Sequence, residues 1–362
     1  MSAQVIELPS PGHGRLALLG TGTVGSAFVE RYQALQARGI ELPAFRWLAN
    51  SRTALRCESG PEHPLRQARQ SPRRERSLPP WAEADALHAG DTVVDATASE
   101  IVAGWHAQWL ARGVHVVTAN KLGNGAQLAR AQEIGERCAA TGARYGDSAT
   151  VGAGLPLLSS LRALRDGGDR IHRIEGVLSG SLAWLFHRHD GSQPFSALVR
   201  EALAAGYTEP DPRVDLSGED VRRKLLILAR ASGLPLDASQ VQVDSLVPAA
   251  LAGLSADEAL QALALLDGPL QARWRQARDD GRVLRFVGTV DATGARVALQ
   301  ALEPAHPLAQ GAGTDNRVAI HSDRYSCQPL LIQGPGAGAE VTAAALLDDV
   351  LRIAANTTGP IR

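Results

Sequence analysis

Lysine is scarce in this chain of 362 residues, and both of its lysines are candidates for proton chemistry. Of the 37 basic residues, 35 are arginine, and only Lys121 and Lys224 are lysine. Arginine stays protonated in proteins, whereas a lysine ammonium can release a proton when its surroundings favour the neutral form. We therefore expect the two lysines to occupy positions that arginine cannot fill. The alternative is that two lysines survived a compositional bias by chance.

The densest set of chemically useful residues ends at Lys224, in the segment GYTEPDPRVDLSGEDVRRK at 206–224. Its two prolines fix their own φ and restrict the residues before them, which predicts a rigid, extended path for Glu209 and Asp211. Ser217 is expected to cap the helix that follows.

Asp220 and Lys224 lie four residues apart on a helix predicted at 220–232, so their side chains share one face. The alternative is an ordinary surface ion pair, which contributes little to stability. Arg222 and Arg223 stand beside Lys224 and show that arginine is readily used in this stretch. A lysine at this position therefore favours a chemical role.

A glycine-rich motif near the N-terminus, GTGTVG, predicts a dinucleotide site. It follows an apolar strand and opens a helix, where glycines let the backbone approach a pyrophosphate and the helix offers free N–H groups. The alternative is a glycine-rich turn that binds no ligand. The expected cofactor contacts are Gly20, Gly22, Thr23, Val24 and Gly25.

The end of the next strand bears on which dinucleotide binds. NAD enzymes usually place an acidic residue there to bind the ribose 2′-hydroxyl. This chain instead has Asn50 and Arg52, and a guanidinium can pair with a 2′-phosphate. The two residues are therefore expected to bind NADP, with NAD as the alternative if Arg52 is only a surface arginine.

The elements that must position these residues change in character near residue 150. Before it, short apolar strands alternate with helices, which predicts a Rossmann-type, doubly wound parallel sheet. The predicted strands are 16–19, 45–49, 92–95, 115–118 and 143–147, and the predicted helices are 24–36, 101–112 and 127–141. Residues 53–80, rich in proline and arginine, are expected to form a solvated loop or irregular excursion.

The remainder predicts an α+β domain with a mixed sheet. The expected helices are 157–164, 182–187, 197–205, 220–232, 256–278 and 341–355, and the expected strands are 174–178, 283–290, 296–302 and 330–333. The second and third of these strands flank a turn and form a hairpin. We predict a dinucleotide-binding domain at 1–150 with 335–362, and a catalytic and dimerisation domain at 151–334.

Composition excludes several classes of protein. A net charge of −1 argues against a nucleic-acid binder, which needs a basic surplus. No apolar run approaches the roughly 18 residues of a membrane span. The N-terminus shows no secretory signal, and the 3 widely spaced cysteines fit reduced thiols. These features predict a cytoplasmic protein.

Motifs along nearly the whole chain resemble those of the homoserine dehydrogenases, especially the dehydrogenase half of bifunctional aspartokinase–homoserine dehydrogenases. We expect a stand-alone form, since no kinase segment precedes the motifs. They follow the family's order: GTGTVGS at Gly20, ANSR at Ala49, TANK at Thr118, ATVGAGLP at Ala149, LSGSLAWLF at Leu178, GYTEPDPRVDLSGEDVRRKLLILAR at Gly206, ARDDGRVLRFVG at Ala277 and QPLLIQGPGAGAEVTAA at Gln328.

The resemblance implies NAD(P)-dependent interconversion of L-homoserine and L-aspartate 4-semialdehyde, on the branch to threonine and methionine. Lys224 would transfer the proton at the substrate oxygen, and Asp220 would contact the substrate and help to set the state of Lys224. Glu209 would bind the substrate's amino group, with Tyr207 beside the substrate. Lys121 would lie between the nicotinamide and the substrate.

The resemblance also implies further ligands. Thr97, Ala119 and Gly338 would contact the cofactor. In similar enzymes a monovalent cation such as Na⁺ is held by backbone carbonyls, which correspond here to Val151, Ala153 and Leu155. Two departures stand out: Ser148 lies where many relatives have an acid, with Asp147 one residue earlier, and Val214 replaces a frequent Asp. The first puts the side-chain part of the cation site in doubt.

The chemistry fits these residue types. Hydride addition to an aldehyde leaves an alkoxide, which a positioned ammonium stabilises and protonates. We expect both lysines to face one cleft between the two domains, and the resemblance implies a homodimer or homotetramer. Two alternatives remain: a semialdehyde dehydrogenase that acts through a cysteine thioester, and a non-catalytic dinucleotide sensor or scaffold.

Overall fold

A computed structural model describes residues 14–72, 83–311 and 313–357. They form two compact units. The first comprises the residues up to Asn120, Gln132–Asp147 and the chain from Thr342 onward, and the second comprises Lys121–Ala131 and Ser148–Val341. The units therefore differ from the predicted domains chiefly in the placement of 121–131 and 335–341.

Twelve strands and thirteen α-helices are found in the described residues. The strands are β1 Leu16–Leu19, β2 Phe45–Ala49, β3 Ala54–Arg56, β4 Thr92–Asp95, β5 His115–Thr118, β6 Tyr145–Gly146, β7 Ile171–Val177, β8 Val241–Val243, β9 Val283–Asp291, β10 Gly294–Leu302, β11 Asp315–Ser322 and β12 Leu330–Pro335. The helices are α1 Thr23–Ala37, α2 Glu62–Gln70, α3 Glu100–Ala111, α4 Leu128–Thr141, α5 Leu157–Asp166, α6 Gly180–Arg188, α7 Phe195–Ala204, α8 Arg213–Leu216, α9 Glu219–Ala231, α10 Ala249–Ala252, α11 Ala256–Gln261, α12 Asp267–Asp279 and α13 Ala339–Thr357. None of them is long and apolar enough to cross a lipid bilayer.

The first unit is built on a six-stranded sheet in the order β3-β2-β1-β4-β5-β6. All neighbouring strands are parallel except β2 and β3, which form an antiparallel pair. Strands β1 and β4 are buried along their whole length, which fits the apolar sequence of β1 and the two central valines of β4, and the Asp95 carboxylate at the end of β4 is buried as well. The predicted Rossmann-type domain is confirmed.

The second unit is built on a six-stranded mixed sheet in the order β12-β11-β7-β9-β10-β8. Only β8 and β10 are parallel, and the predicted hairpin is present because β9 and β10 pair from Gly294 and Asp291 onward. Helix α9 packs on this sheet through Val221 and Leu225, whose side chains approach Gly288 of β9. The predicted α+β domain with a mixed sheet is therefore also confirmed.

The prediction for residues 53–80 is wrong for two stretches. Strand β3 pairs with β2, and helix α2 buries Pro64, Leu65 and Ala68. Proline is tolerated in the first turn of a helix because the N–H groups there have no partner within the helix. The spacing of the apolar positions outweighs the proline content in α2. Residues 73–82 lie outside the described residues.

The prediction of one helix at 256–278 is also wrong. Helix α11 ends at Gln261, a single 3₁₀ turn covers Leu263–Leu266, and α12 begins at Asp267. Pro269 lies in the first turn of α12. It has no N–H to donate to the carbonyl four residues earlier, so a continuous helix through this position is disfavoured. Strands β8 and β11 were not predicted, although β11 lies between β12 and β7 in the sheet.

Candidate active site

Lys224 is a buried lysine with two strong acceptors. It projects from α9, is 7% exposed, and donates from Nζ to Leu178 O at 2.7 Å. The same nitrogen lies 2.9 Å from Asp220 Oδ2, one helical turn earlier. An ammonium has three N–H donors. Within the described parts of the chain these two acceptors are its only partners, so the third N–H is available to a ligand.

Lys121 meets the same carboxylate from a different segment. Its Nζ lies 3.3 Å from Asp220 Oδ1, so each lysine contacts one oxygen of the same carboxylate, and we call these three residues the lysine cluster. Burial would raise the pKa of Asp220, but the positive charges of Lys224 and Lys121 outweigh this effect and hold that pKa far below its usual range. The carboxylate therefore stays ionised over the physiological range. The two lysines meet as expected, and their place in a cleft between domains stays a prediction.

The start of α9 depends on a glycine, and the prediction that Ser217 is the cap is wrong. The cap residue is Gly218, with φ +79°, a left-handed conformation that glycine adopts without strain. A Cβ there would also lie 3.0 Å from the Phe286 ring. Ser217 still accepts a hydrogen bond from the N–H of Glu219 at 3.2 Å. The position of this helix start determines which way the side chains of Asp220 and Lys224 point from α9.

Two polar residues of this site were missed by sequence reasoning. Asp215 accepts hydrogen bonds from Ser181 Oγ at 2.7 Å and from the backbone N–H of Glu209 at 2.9 Å. Ser181 follows closely after Leu178, whose carbonyl binds Lys224. Asp215 thus links the segment before α8 to the loop that contacts Lys224. The signal for Asp215 was present, because this residue lies inside the segment GYTEPDPRVDLSGEDVRRK at 206–224.

The remaining residues of the GYTEPDP segment are more exposed. Glu209 is exposed, and among the described residues its carboxylate pairs with no cation. Tyr207 is 45% exposed, and its ring centroid lies 5.3 Å from that of Trp184. Asp211 instead pairs with Arg213 at 2.6 Å, which indicates a structural role. The structure thus leaves Glu209 and Tyr207 open to a ligand.

The GTGTVG segment forms a cradle at the start of α1. Gly20 has φ +97°, and a Cβ on Gly25 would lie 1.9 Å from Gly20 O, so both positions require glycine. Gly22 faces open space and caps α1 without a side-chain hydrogen bond, so the first N–H groups of the helix at Thr23 and Val24 are not capped by a side chain. This geometry suits a pyrophosphate.

Asn50 and Arg52 follow the end of β2 and differ in how their side chains are used. Asn50 is buried, donates from Nδ2 to Thr21 Oγ1 at 2.8 Å and to Ala68 O at 2.9 Å, and accepts from the N–H of Arg52 at 2.8 Å. Its side chain is thus occupied in holding the loop. The guanidinium of Arg52 forms no hydrogen bond or ion pair with any described residue, which leaves it available to an anion.

A buried carboxylate orders the loops that carry Thr97 and Ala119. Asp95 is fully buried, and it accepts from the N–H of Thr97 at 2.9 Å and from Asn120 Nδ2 at 3.0 Å. Its Oδ2 lies 2.9 Å from His106 Nε2, and its backbone carbonyl accepts from the N–H of Ala119 at 2.9 Å. These contacts align the carboxyl ends of β4 and β5, where cofactors bind in doubly wound sheets.

The segment with the predicted cation ligands has an unusual backbone. Ala153 has φ +51°, the one positive φ of a non-glycine residue among the described residues. Val151 and Ala153 are buried, and Leu155 O accepts from the N–H of Leu157 at 2.8 Å. Such strain clusters at functional sites. Gly338 lies in the turn before α13, with φ +130°, and the nearby Val341 side chain packs against Gly154 of this segment.

Comparison with protein families agrees with this arrangement. A family model described as homoserine dehydrogenase matches residues 156–351. A second, described as homoserine dehydrogenase, NAD binding domain, matches residues 20–146. The first match contains Asp220 and Lys224, and the second contains the glycine cradle and Lys121.

Individual proteins show the same likeness. The chain is 47% identical over 271 residues to bifunctional aspartokinase/homoserine dehydrogenase 1 of Zea mays, with 74% of this chain and 30% of that protein covered. It thus spans about 30% of the length of that relative. It is 40% identical over 270 residues to homoserine dehydrogenase of Saccharomyces cerevisiae, with 72% of this chain and 75% of that protein covered.

A solved structure shares the fold. A hyperthermophilic archaeal homoserine dehydrogenase in complex with NADPH superposes with a TM-score of 0.70 at 20% identity, and the match covers 96% of this chain and 99% of that one. At this identity the likeness concerns the fold alone. On the strength of the two family models and the yeast relative, the chain belongs to the homoserine dehydrogenase family.

Proposed function

We propose that this chain is a homoserine dehydrogenase that transfers hydride reversibly between L-aspartate 4-semialdehyde and L-homoserine. The observation that supports it best is the state of Lys224, a buried ammonium with two fixed acceptors and one free N–H. A group held in this way can donate to one further oxygen atom. Family membership points to a substrate whose oxygen changes from carbonyl to hydroxyl.

The residues of the cluster divide the work. In the reducing direction, the free N–H of Lys224 protonates the alkoxide that forms at the substrate carbonyl. Asp220 holds the ammonium in place at 2.9 Å, and Lys121 supplies a second positive charge, 3.3 Å from the same carboxylate. That donation leaves Lys224 as a neutral amine, and in the oxidising direction the neutral amine takes up the hydroxyl proton and becomes an ammonium again. Two cations around one anion leave one surplus positive charge to stabilise the alkoxide.

The amino-acid end of the substrate needs a carboxylate. Glu209 is exposed and unpaired among the described residues, and Asp215 fixes its backbone at 2.9 Å. In this proposal Glu209 binds the substrate ammonium, and Tyr207 lies beside the substrate. The contacts of Asp215 with Glu209 and Ser181 tie this end of the site to the loop that binds Lys224.

The cofactor proposed is NADP, which supplies or accepts the hydride when bound. The glycine cradle at Gly20, Gly22 and Gly25 fits a pyrophosphate, with Thr23 and Val24 offering the first N–H groups of α1. Arg52 would bind the 2′-phosphate, since its guanidinium has no other partner among the described residues. The remaining proposed contacts are Thr97, Ala119, Lys121, Gly338 and the loop at Asn50.

Several finer assignments belong to the same proposal. The backbone carbonyls of Val151, Ala153 and Leu155 would hold a monovalent cation such as Na⁺, consistent with the strained φ at Ala153. The protein would act in the cytoplasm as a homodimer or homotetramer. Residues 1–150 with 335–362 would bind the dinucleotide, and residues 151–334 would carry catalysis and dimerisation.

The cysteine-based alternative has little support. Burial raises the pKa of Cys57 to about 12 and that of Cys138 to about 11. The reactive form of a cysteine is the thiolate, which such values disfavour. The third cysteine, Cys327, is exposed and lies outside the lysine cluster.

An absorbance assay of NADPH formation from L-homoserine tests the proposal. We expect homoserine-dependent reduction of NADP, and Arg52→Ala should raise the KM for NADP by about tenfold or more without changing the KM for NAD. Arg56→Ala is the matched control, because Arg56 is an exposed arginine of β3 with its own partner, Asp85. Absence of homoserine-dependent reduction with both cofactors would overturn the function. An equal loss with NADP and NAD would overturn the role of Arg52.

A further inference from the structure

Lys121 lies in a loop that rests directly on the helix carrying the other lysine. Residues 121–126 contact α9 at two points beyond the ion pair of Lys121 with Asp220. One contact is made by the side chain of Arg230, and the other by the backbone around Gly125. Neither residue touches Asp220 or Lys224, so their effect on the site has to act through the loop.

Arg230 binds the loop through backbone carbonyls. Its Nη1 donates to Asn124 O, and its Nη2 donates to Ala126 O at 2.9 Å. The same guanidinium also donates to Leu236 O, from Nη2 at 2.8 Å and from Nε at 3.1 Å. A planar fork of five donors can serve three carbonyls at once, whereas a lysine offers a single nitrogen. The loop and the segment after α9 are thus fastened to one side chain.

Gly125 lets the loop approach the helix backbone. Its N–H donates to Lys121 O at 2.7 Å, which closes a tight turn immediately after the lysine. A Cβ at this position would lie 2.6 Å from Lys121 O, 3.0 Å from Arg223 O and 3.0 Å from Ile227 Cδ1. Because Arg223 is the residue before Lys224, a side chain at position 125 would push the loop that carries Lys121 against the backbone next to Lys224.

We propose that Arg230 is a positioning residue, which fixes the 121–126 loop on α9 so that the ammonium of Lys121 reaches Asp220. The inference rests on the proposed function, because it assigns a catalytic purpose to the position of Lys121. Gly125 has the complementary part, since its lack of a side chain sets how closely the loop packs. Arg230 thereby controls the geometry of the cluster from the far end of α9.

The first test replaces Arg230 by methionine and compares it with Arg165→Met. Arg165 also donates to a backbone carbonyl at the same end of α9, Ala231 O at 3.2 Å, but it does not contact residues 121–126. A misplacement of about 1 Å in a catalytic group costs roughly 100-fold in rate. We expect Arg230→Met to lower kcat by about that factor, and Arg165→Met to leave kcat within about twofold. Equal kcat in both variants would overturn the inference.

A second test separates positioning from a general loss of structure. In a Lys121→Met background, Arg230→Met should cause no further loss of kcat, because the group that it positions is absent. A further loss as large as that in the wild-type background would overturn the inference. If Arg230→Met does not fold, Gly125→Ala takes its place in both backgrounds. Gly268→Ala is then the control, since a Cβ at Gly268 meets no atom within 4 Å.

The wild-type assay keeps the two proposals apart. Homoserine turnover by the unmodified chain, together with normal kcat in Arg230→Met, would reject the positioning role alone. Absence of turnover by the unmodified chain would reject the proposed function itself.

Discussion

Replacement of Lys224 by arginine tests the proton-transfer role most directly. The variant keeps a positive charge on α9 but cannot release a proton, because arginine stays protonated in proteins. Lys224 is 7% exposed, and its single nitrogen lies 2.7 Å from Leu178 O and 2.9 Å from Asp220 Oδ2. A planar guanidinium has to place three nitrogens where the structure accommodates one.

The size of the effect follows from the role assigned to the free N–H. A positioned acid or base contributes about 10²- to 10⁴-fold in rate, which corresponds to roughly 3–5 kcal/mol of transition-state stabilisation. We expect Lys224→Arg to lower kcat by at least this factor, both for aldehyde reduction and for homoserine oxidation. Cofactor affinity should be unchanged, because the glycine cradle belongs to other residues.

The assay combines steady-state kinetics with a fluorescence titration of NADPH. Arg222→Lys is a matched control, because it makes the reverse exchange two residues away, at a position paired with Glu219. That variant should retain kcat within about twofold, as expected for a surface pair. Turnover of Lys224→Arg near the wild-type rate would refute the proton-transfer role. Loss of NADPH binding would show that the effect of the substitution extends beyond the site of Lys224.

Three further outcomes are expected. Gly25→Ala should weaken NADPH binding by about tenfold or more in the fluorescence titration, because its Cβ would lie 1.9 Å from a backbone oxygen, whereas Gly135→Ala in the open should not. Burial lowers the pKa of His189 below its ordinary 6.5, so the free energy of unfolding should fall as pH drops below that value. Urea denaturation at several pH values gives the free energy of unfolding as a function of pH. In His189→Leu that pH dependence should be smaller by up to about 1.4 kcal/mol per pH unit, and an unchanged pH dependence would contradict the assignment. Arg285→Met should destabilise the second unit by about 2–4 kcal/mol in the same experiment, because it removes the guanidinium that donates to three buried carbonyls, and a loss below about 1 kcal/mol would contradict this.

The residues that the structure brings together at the candidate site were largely predicted from the sequence, because the signals for their placement are local. The spacing of Asp220 and Lys224 places them on one face of a helix, and the glycine motif predicts the tight turn between β1 and α1. Asp215 and Ser181 were missed because their contact joins residues that are 34 positions apart. Such a contact depends on how α6 and α8 pack, which local patterns do not encode.

The fold was predicted where strands are short, apolar and followed by helices. Strand β11 was missed because Asn316, Arg317 and His321 interrupt its apolar pattern, although it lies inside the sheet. Asn316 is nevertheless fully buried, since it donates to Val177 O on the neighbouring strand at 3.1 Å. Helix α2 was missed for a similar reason, because the proline and arginine content of this stretch obscures its buried positions Leu65 and Ala68.

The sharing of Asp220 between two lysines has a consequence for how tightly the substrate is held. A neutral aldehyde oxygen gains little from the uncancelled charge of the cluster, whereas an oxygen that becomes negative during hydride addition gains much more. Under the proposed function, the arrangement would therefore favour the transition state over the bound ground state. In the proposed reaction, the charge balance at Asp220 would lower the barrier to hydride addition without tightening the complex with the neutral aldehyde.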